Sequence, residues 1–277
     1  MMTTVSVARW RSGLVALVLA ALVLAGSARA VERDRIEAFL EVTGFGVAID
    51  SIALSAADAP AMIDMEPADF GPSWSRITAQ VFDRALMRDM AHDMLAGALD
   101  DEMLGHAARF YASGLGQRLV EVENASHMQR EADTAGAEAR AAALPPARRA
   151  ALEDMNAAID NGGMVVRAIR EIQVRFLLAA SAAGLTEGGY DADLLRRLLA
   201  QGDEEERAEM REIALTSAAQ TYRDFSTEEL RAYATALEHP MMARVYELMN
   251  AVQFEIMANR FEALAVRLGE VPPASDL

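Results

Sequence analysis

Apolar positions recur at three- and four-residue spacing along most of the chain, and after residue 30 no three β-branched residues follow one another. That periodicity marks amphipathic helices rather than strands. Ala, Leu, Met, Arg and Glu, which form helices readily, fill the intervening positions. The pattern predicts an all-α protein. Two short helices are expected between Glu32 and about Ala57, broken near Gly44 and Gly46, with Val47 to Leu54 the one stretch ambiguous between helix and strand. A linker holding Pro60, Pro67, Gly71 and Pro72 follows. Ser73 suits an N-cap for a helix to about Leu99, with Ile77, Val81, Ala85, Met87 and Met90 on its apolar side. Asp100 caps a short helix through Tyr111, and Ser113 to Gly116 interrupts it. A long helix is then expected to about Ala143, where Pro145 and Pro146 end it and seed the next.

The second half has the same style. Helices are expected over 146–160 and 163–183 around Asn161-Gly162-Gly163, then a turn at Gly184, Gly188 and Gly189 and a short helix over 191–200. Asp203 is the expected cap of a helix to about Tyr222, its Glu204, Glu205 and Glu206 matching the helix dipole. Ser226 to Glu229 spells a capping box. His239, which caps or precedes the final helix, and Pro240 separate the next two helices. The last, Pro240 to Leu268, carries Met241, Val245, Leu248, Val252, Ile256 and Met257 as one apolar stripe. Residues 271–277 read as a frayed, disordered tail.

A shift of 126 residues aligns 99–125 (LDDEMLGHAARFYASGLGQRLVEVENA) with 225–251 (FSTEELRAYATALEHPMMARVYELMNA) without gaps, at seven identities in 27 positions. Each window has a capped start, a short amphipathic helix, a breaker and a long amphipathic helix. The expected organisation is therefore a signal at 1–30, two related helical units at 31–143 and 144–270, and the tail. The conspicuous positions are Glu102, Phe110, Tyr111, Gly116, Arg118 and Glu121 in the first unit. Glu228, Leu230, Pro240, Arg244 and Glu247 are those of the second. Packing explains them: the aromatic pair closes the short helix, the small residues or Pro240 set the turn, and Arg118/Glu121 and Arg244/Glu247 stand at i, i+3 spacing for surface pairs.

The first window, with Asp101-Glu102-x-Leu104 and then Phe110-Tyr111-Ala112-Ser113-x-x-Gly116-Gln117-Arg118-Leu119, resembles the domain of unknown function 2059 family. Those are exported helical bacterial proteins with an acidic E-L start and an F-Y-x-S-P-x-G-x-K motif before a long helix. Gly114 stands here where the family often has Pro, and Arg118 replaces Lys. The second window keeps Pro240 but lacks Phe-Tyr and Gly. The resemblance implies an exported helical protein, no established activity and no catalytic residue.

Composition sharpens the location. Arg9 and Arg11 precede an unbroken apolar run of 12 residues, Leu14 to Ala25, and Ala28-Arg29-Ala30 offers small residues for a signal peptidase. Twelve residues rise about 18 Å as a helix, short of a hydrocarbon core of about 30 Å. The expectation is export to a periplasm with cleavage near Ala30 and no stable membrane span afterwards; an uncleaved anchor is the alternative. All 26 basic residues are Arg, against 42 Asp and Glu. Removing three Arg and no carboxylate leaves a net charge of −19, which repels phosphate backbones and excludes nucleic-acid binding. The absence of Cys excludes disulfides, thiol nucleophiles and thiolate metal sites.

No constellation announces a reaction, and no cofactor motif appears. Met87, Met90 and Met94 share a helix face near His92, a set that would suit copper(I) but also has the spacing of a core stripe. His106, His127 and His239 fit no metal-binding motif. The acidic clusters sit at helix starts, where the dipole accounts for them. Three functions stay open: a non-catalytic periplasmic protein that binds an unknown envelope protein or an apolar ligand in a helix-lined groove, a copper-binding protein, and an envelope hydrolase. The last predicts convergent polar residues in a deep pocket with a strongly shifted carboxylate.

Overall fold

In a computed structural model, residues 32–129, 134–160, 163–186 and 189–271 are described. The signal-like residues 1–30 and the tail beyond Val271 lie outside them. The C-terminal helix organises the rest. It runs Pro240–Gly269, 30 residues or about 45 Å. Met242, Val245, Tyr246, Met249, Val252, Ile256, Phe261 and Leu264 are all buried along it. They spread over roughly two thirds of the helix circumference, wider than the single stripe expected from the sequence, while Arg244, Glu247, Ala251, Glu255 and Glu262 line an exposed face. Met241, Leu248 and Met257 are half-buried, and helices from both halves of the chain pack on the apolar face. A helix with so wide an apolar face packs against several neighbours at once. Each large side chain it buries contributes about 1.5–3 kcal/mol.

The helices in chain order are α1 (32–43), α2 (Phe45–Ser51), α3 (Ser73–Val81), α4 (Arg84–Leu95), α5 (Asp101–Tyr111), α6 (Gly114–His127) and α7 (Thr134–Ala142). Then come α8 (Pro146–Ile159), α9 (Met164–Ala182), α10 (Ala192–Leu199), α11 (Asp203–Thr221), α12 (Thr227–Glu238) and α13 (Pro240–Gly269). No strand occurs among the described residues, and the ambiguous stretch Val47 to Leu54 is helical. Short 3₁₀ turns between Ile52 and Phe70 form the proline-bearing linker. α9 lies along α13, α12 along α8, and α7 on α11; α2, α3, α4 and α5 complete the wall around α13. Both sequence halves feed one continuous core, from Ile36 to Leu268.

The caps expected at Asp100, Ser226 and His239 form, and Ser113 caps α6 as well. The side chains of Asp100, Ser113, Ser226 and His239 accept the N–H of Met103, Gly116, Glu229 and Met241 respectively. The break between α1 and α2 is Gly44 alone, with φ +78°, while Gly46 lies inside α2. Four expectations need correction. The cap before α3 is Pro72, without a side-chain cap bond, and not Ser73. The helix from Ser73 stops at Val81, because Phe82 leaves helical geometry to pack edge-on against Phe261, ring centroids 5.8 Å apart. Asp83 then caps α4 by accepting from Leu86 at 2.9 Å. The helix expected to reach Ala143 ends at His127, and α7 is separate. The α11 cap is Gly202, with φ +87°.

Candidate functional site

Five helices converge on a buried polar cluster that no sequence pattern singled out. α6 opens with Gly116 pressed against α5: a Cβ there would meet the Phe110 carbonyl oxygen at 2.3 Å. Only glycine allows that approach, and it seats the next two turns of α6 against the C-terminal end of α11. Gly116 and Leu119 are buried, and Glu123 continues the same side of the helix.

Glu123 Oε1 accepts from Tyr222 Oη at 2.7 Å and from Tyr233 Oη at 2.9 Å. Tyr233 and Tyr246 share a hydrogen bond of 2.9 Å. Tyr111 lies 3.2 Å from Tyr233 and is bonded to Tyr246 as well. Four of the five tyrosines in the chain thus join one network; the fifth, Tyr190, is exposed. Burial raises the phenols of Tyr111, Tyr222 and Tyr233 well above their ordinary range. Burial also pushes the Glu123 carboxyl up to about 7, opposed by its two phenolic donors.

Beside this network lies a cavity of about 300 Å³. Glu123 keeps part of its surface toward it and is otherwise enclosed. Phe45, Tyr222, Tyr233 and Tyr246 supply aromatic walls; Asn124, Asn156, Asn250 and Gln253 supply amides. Asn124 Oδ1 is buried without a hydrogen-bond partner, close to Gly44, where a Cβ would approach it to 2.8 Å. Asn250 donates to the Ile159 carbonyl at 3.1 Å, and Thr221 donates to Ser126 Oγ at 3.0 Å. His127 also borders the cavity, with its pKa lowered by burial. A second hollow of about 490 Å³ between α8, α9 and α11 shares Asn156, Ile159 and Ala214 with the first. Cavities of this size accept small ligands.

The residues singled out from the sequence fall into three groups. Tyr111 belongs to the network, and Phe110 stacks on Tyr233 with centroids 5.8 Å apart. Leu230 and Gly116 are buried, while Glu102, Glu121, Glu228, Pro240, Arg244 and Glu247 are exposed. The two arginines do not use their i, i+3 neighbours. Arg118 pairs with Glu229 at 2.6 Å and covers the Phe225 ring, and Arg244 approaches Asp100 at 3.9 Å. Each thus reaches the start of the short helix in the other window. The methionines of α4 serve packing: Met87 is fully buried, and Met90 and Met94 pack against the core. His92 faces Glu37, with Nε2 2.8 Å from Oε2. Among the described residues no three His, Asp or Glu gather as a metal site. His106 and His239, 133 positions apart, stack with centroids 4.2 Å apart.

Residues 86–145 match the model of the DUF2059 family, described as an uncharacterized protein conserved in bacteria. The match takes in most of α4, all of α5 to α7 and the α6 wall of the cavity; it does not extend to the second window. No curated protein and no solved structure matches the chain.

Proposed function

We propose that this is an exported, non-catalytic binding protein that holds a small ligand in the cavity between α6, α8, α11 and α13. The observation that carries the reading is the cavity itself: a hollow of about 300 Å³ bordered by a carboxylate and by a buried amide oxygen without a partner. Leaving buried polar groups unpaired costs about 1–3 kcal/mol each, a cost that a ligand offering donors removes. Export rests on the signal-like pattern of residues 1–30. The finer organisation, two diverged units of one ancestral design, is supported by the matching caps at Asp100 and Ser226 and at Ser113 and His239, and by the crossed pairs of Arg118 and Arg244.

Native mass spectrometry of protein released gently from its own envelope tests both parts. The expected species is a chain of about 247 residues, net of a 30-residue signal in the 277-residue sequence, with a small molecule retained. Ala214→Phe, on the wall shared by the two hollows, should release that molecule while leaving the fold intact. An empty chain in both forms overturns the binding reading.

A second reading has one observation in its favour. Glu123, raised to about 7, has the ionisation expected of a general acid in an envelope hydrolase. Binding stands first because Glu123 is the only carboxylate among the described residues lining the cavity, whereas glycoside hydrolysis commonly needs two.

A further inference from the structure

The cavity's chemistry points to the class of ligand, an inference that rests on the binding reading above. Of the described residues bordering it, Glu123 alone carries a formal charge at neutral to alkaline pH, and none is an arginine. The chain does not lack guanidinium groups to supply one. Arg88, Arg170, Arg175 and Arg196 each clasp carboxylates elsewhere at 3.1 Å or less. An ionised carboxylate has about four acceptor sites. The two protein donors to Glu123 both use Oε1. Next to it, Asn124 Oδ1 is another acceptor without a donor. Around both stand the rings of Phe45, Tyr222, Tyr233 and Tyr246. Unused acceptors, one negative charge and aromatic walls favour a positively charged guest, because ring faces attract cations.

We propose that the cavity binds a small organic ammonium ion, its positive centre held by Glu123 and the aromatic rings and its apolar body lodged toward Ile159 and Ala214. The acidic surface of the protein draws cations toward it in the same sense.

The arrangement makes binding depend on pH. The groups facing Glu123 are Tyr111 on α5, Tyr222 after α11, Tyr233 on α12, Tyr246 on α13 and His127 on α6. The phenols stay neutral, and burial lowers the His127 pKa. α1, α2 and α8 contribute only uncharged residues to the cavity. Glu123 is the group of this network whose charge changes at about 7. A cation binds its ionised form, so affinity falls as pH falls, by roughly tenfold from pH 8 to pH 6.

The test is calorimetric titration of the full chain with choline, whose charge does not change with pH, and with 3,3-dimethylbutan-1-ol, a neutral molecule of the same shape. Choline should bind at pH 8 at least tenfold more tightly than the neutral analogue. Lowering the pH to 6 should weaken choline binding about tenfold and leave the analogue unaffected. Glu123→Gln should abolish the preference for charge. The pH profile uses the unaltered protein, so misfolding of the variant would not block the test. Equal binding of the two probes, or a flat pH profile for choline, overturns the ammonium assignment. If either probe binds wild type and is lost in Ala214→Phe, the cavity remains a binding site whichever probe it prefers. If neither binds and a retained molecule is still seen in the native protein, only the ammonium class fails. If neither binds and no molecule is retained, both readings fall.

Discussion

Two glutamates at partly buried positions, Glu37 on α1 and Glu123 on α6, meet opposite surroundings. Glu37 takes a hydrogen bond from Arg88 at 2.6 Å and faces His92 at 2.8 Å. Arg88 also forms a two-pronged bond with Asp50, both contacts at 3.1 Å. Its guanidinium pKa is raised, first by the bond to Asp50. There the negative charge is met by a fixed cation, and the group ties α1, α2 and α4 together. Glu123 has only phenols, which donate hydrogen bonds but bring no charge. The first cluster is closed, with both carboxylates bonded to the one guanidinium. The second is left electrically open beside a cavity, as a binding site is and a structural clasp is not.

The largest effect should come from opening the closed cluster. Arg88→Met strands Asp50, whose side chain is 15% exposed, and removes the cationic partner of Glu37. Removing one member of a buried pair typically costs 3–5 kcal/mol, and about 4 kcal/mol is expected here in urea unfolding. Adding Asp50→Asn to Arg88→Met should recover most of that loss, since it removes the stranded charge. A double variant as unstable as the single one would show that Arg88 acts through packing alone.

The same contrast explains what could be read from the sequence. Asp100, Ser226 and His239 were legible as caps because each bonds an N–H two or three residues away. The end of α3 was not, because Phe82 turns into the core toward Phe261, far along the chain. Nor was the exchange of partners by Arg118 and Arg244, whose carboxylates lie in the opposite window. The cavity was the least legible part. Glu123 meets Tyr222 and Tyr233 across 99 and 110 positions, and Tyr111 entered the reading as apolar area, not as a hydroxyl. One local signal pointed there: a glutamate continuing the buried side of α6 set by Gly116 and Leu119. Four tyrosines spread over the chain become a network only when α5, α11, α12 and α13 meet.

The next effect separates the two glutamates by pH. Glu123 titrates near its ordinary value of 4.5 in the unfolded chain and at about 7 in the folded one. Between those values the folded protein holds a proton that the unfolded chain has released. The stability from that proton is fully present below about pH 4.5 and is lost as pH rises through about 7. The shift corresponds to about 3 kcal/mol in all. Glu123→Gln lacks the titration. The unfolding free energy of wild type relative to this variant should therefore fall by about 3 kcal/mol between pH 4.5 and 8. Taking the difference cancels the repulsion among the other carboxylates. A constant difference would mean that water reaches Glu123 freely.

Tyr222→Phe should have the smallest effect and is the most diagnostic for the open cluster. It removes a 2.7 Å bond to Glu123 and leaves the ring packed edge-on against Phe225. A lost hydrogen bond to a charged acceptor costs about 1.5–3 kcal/mol. Tyr233 still serves Glu123 in the variant, so the lower end is expected at pH 8 and less at pH 5, where the carboxyl is protonated. The bond from Tyr222 holds the Glu123 pKa down, so its removal should raise that pKa above 7, read directly from the side-chain carboxyl resonance in a ¹³C titration. A choline-binding profile measured on the same variant should move up the pH scale with it. If the resonance moves and the binding profile does not, the charge on Glu123 is not what the ligand senses.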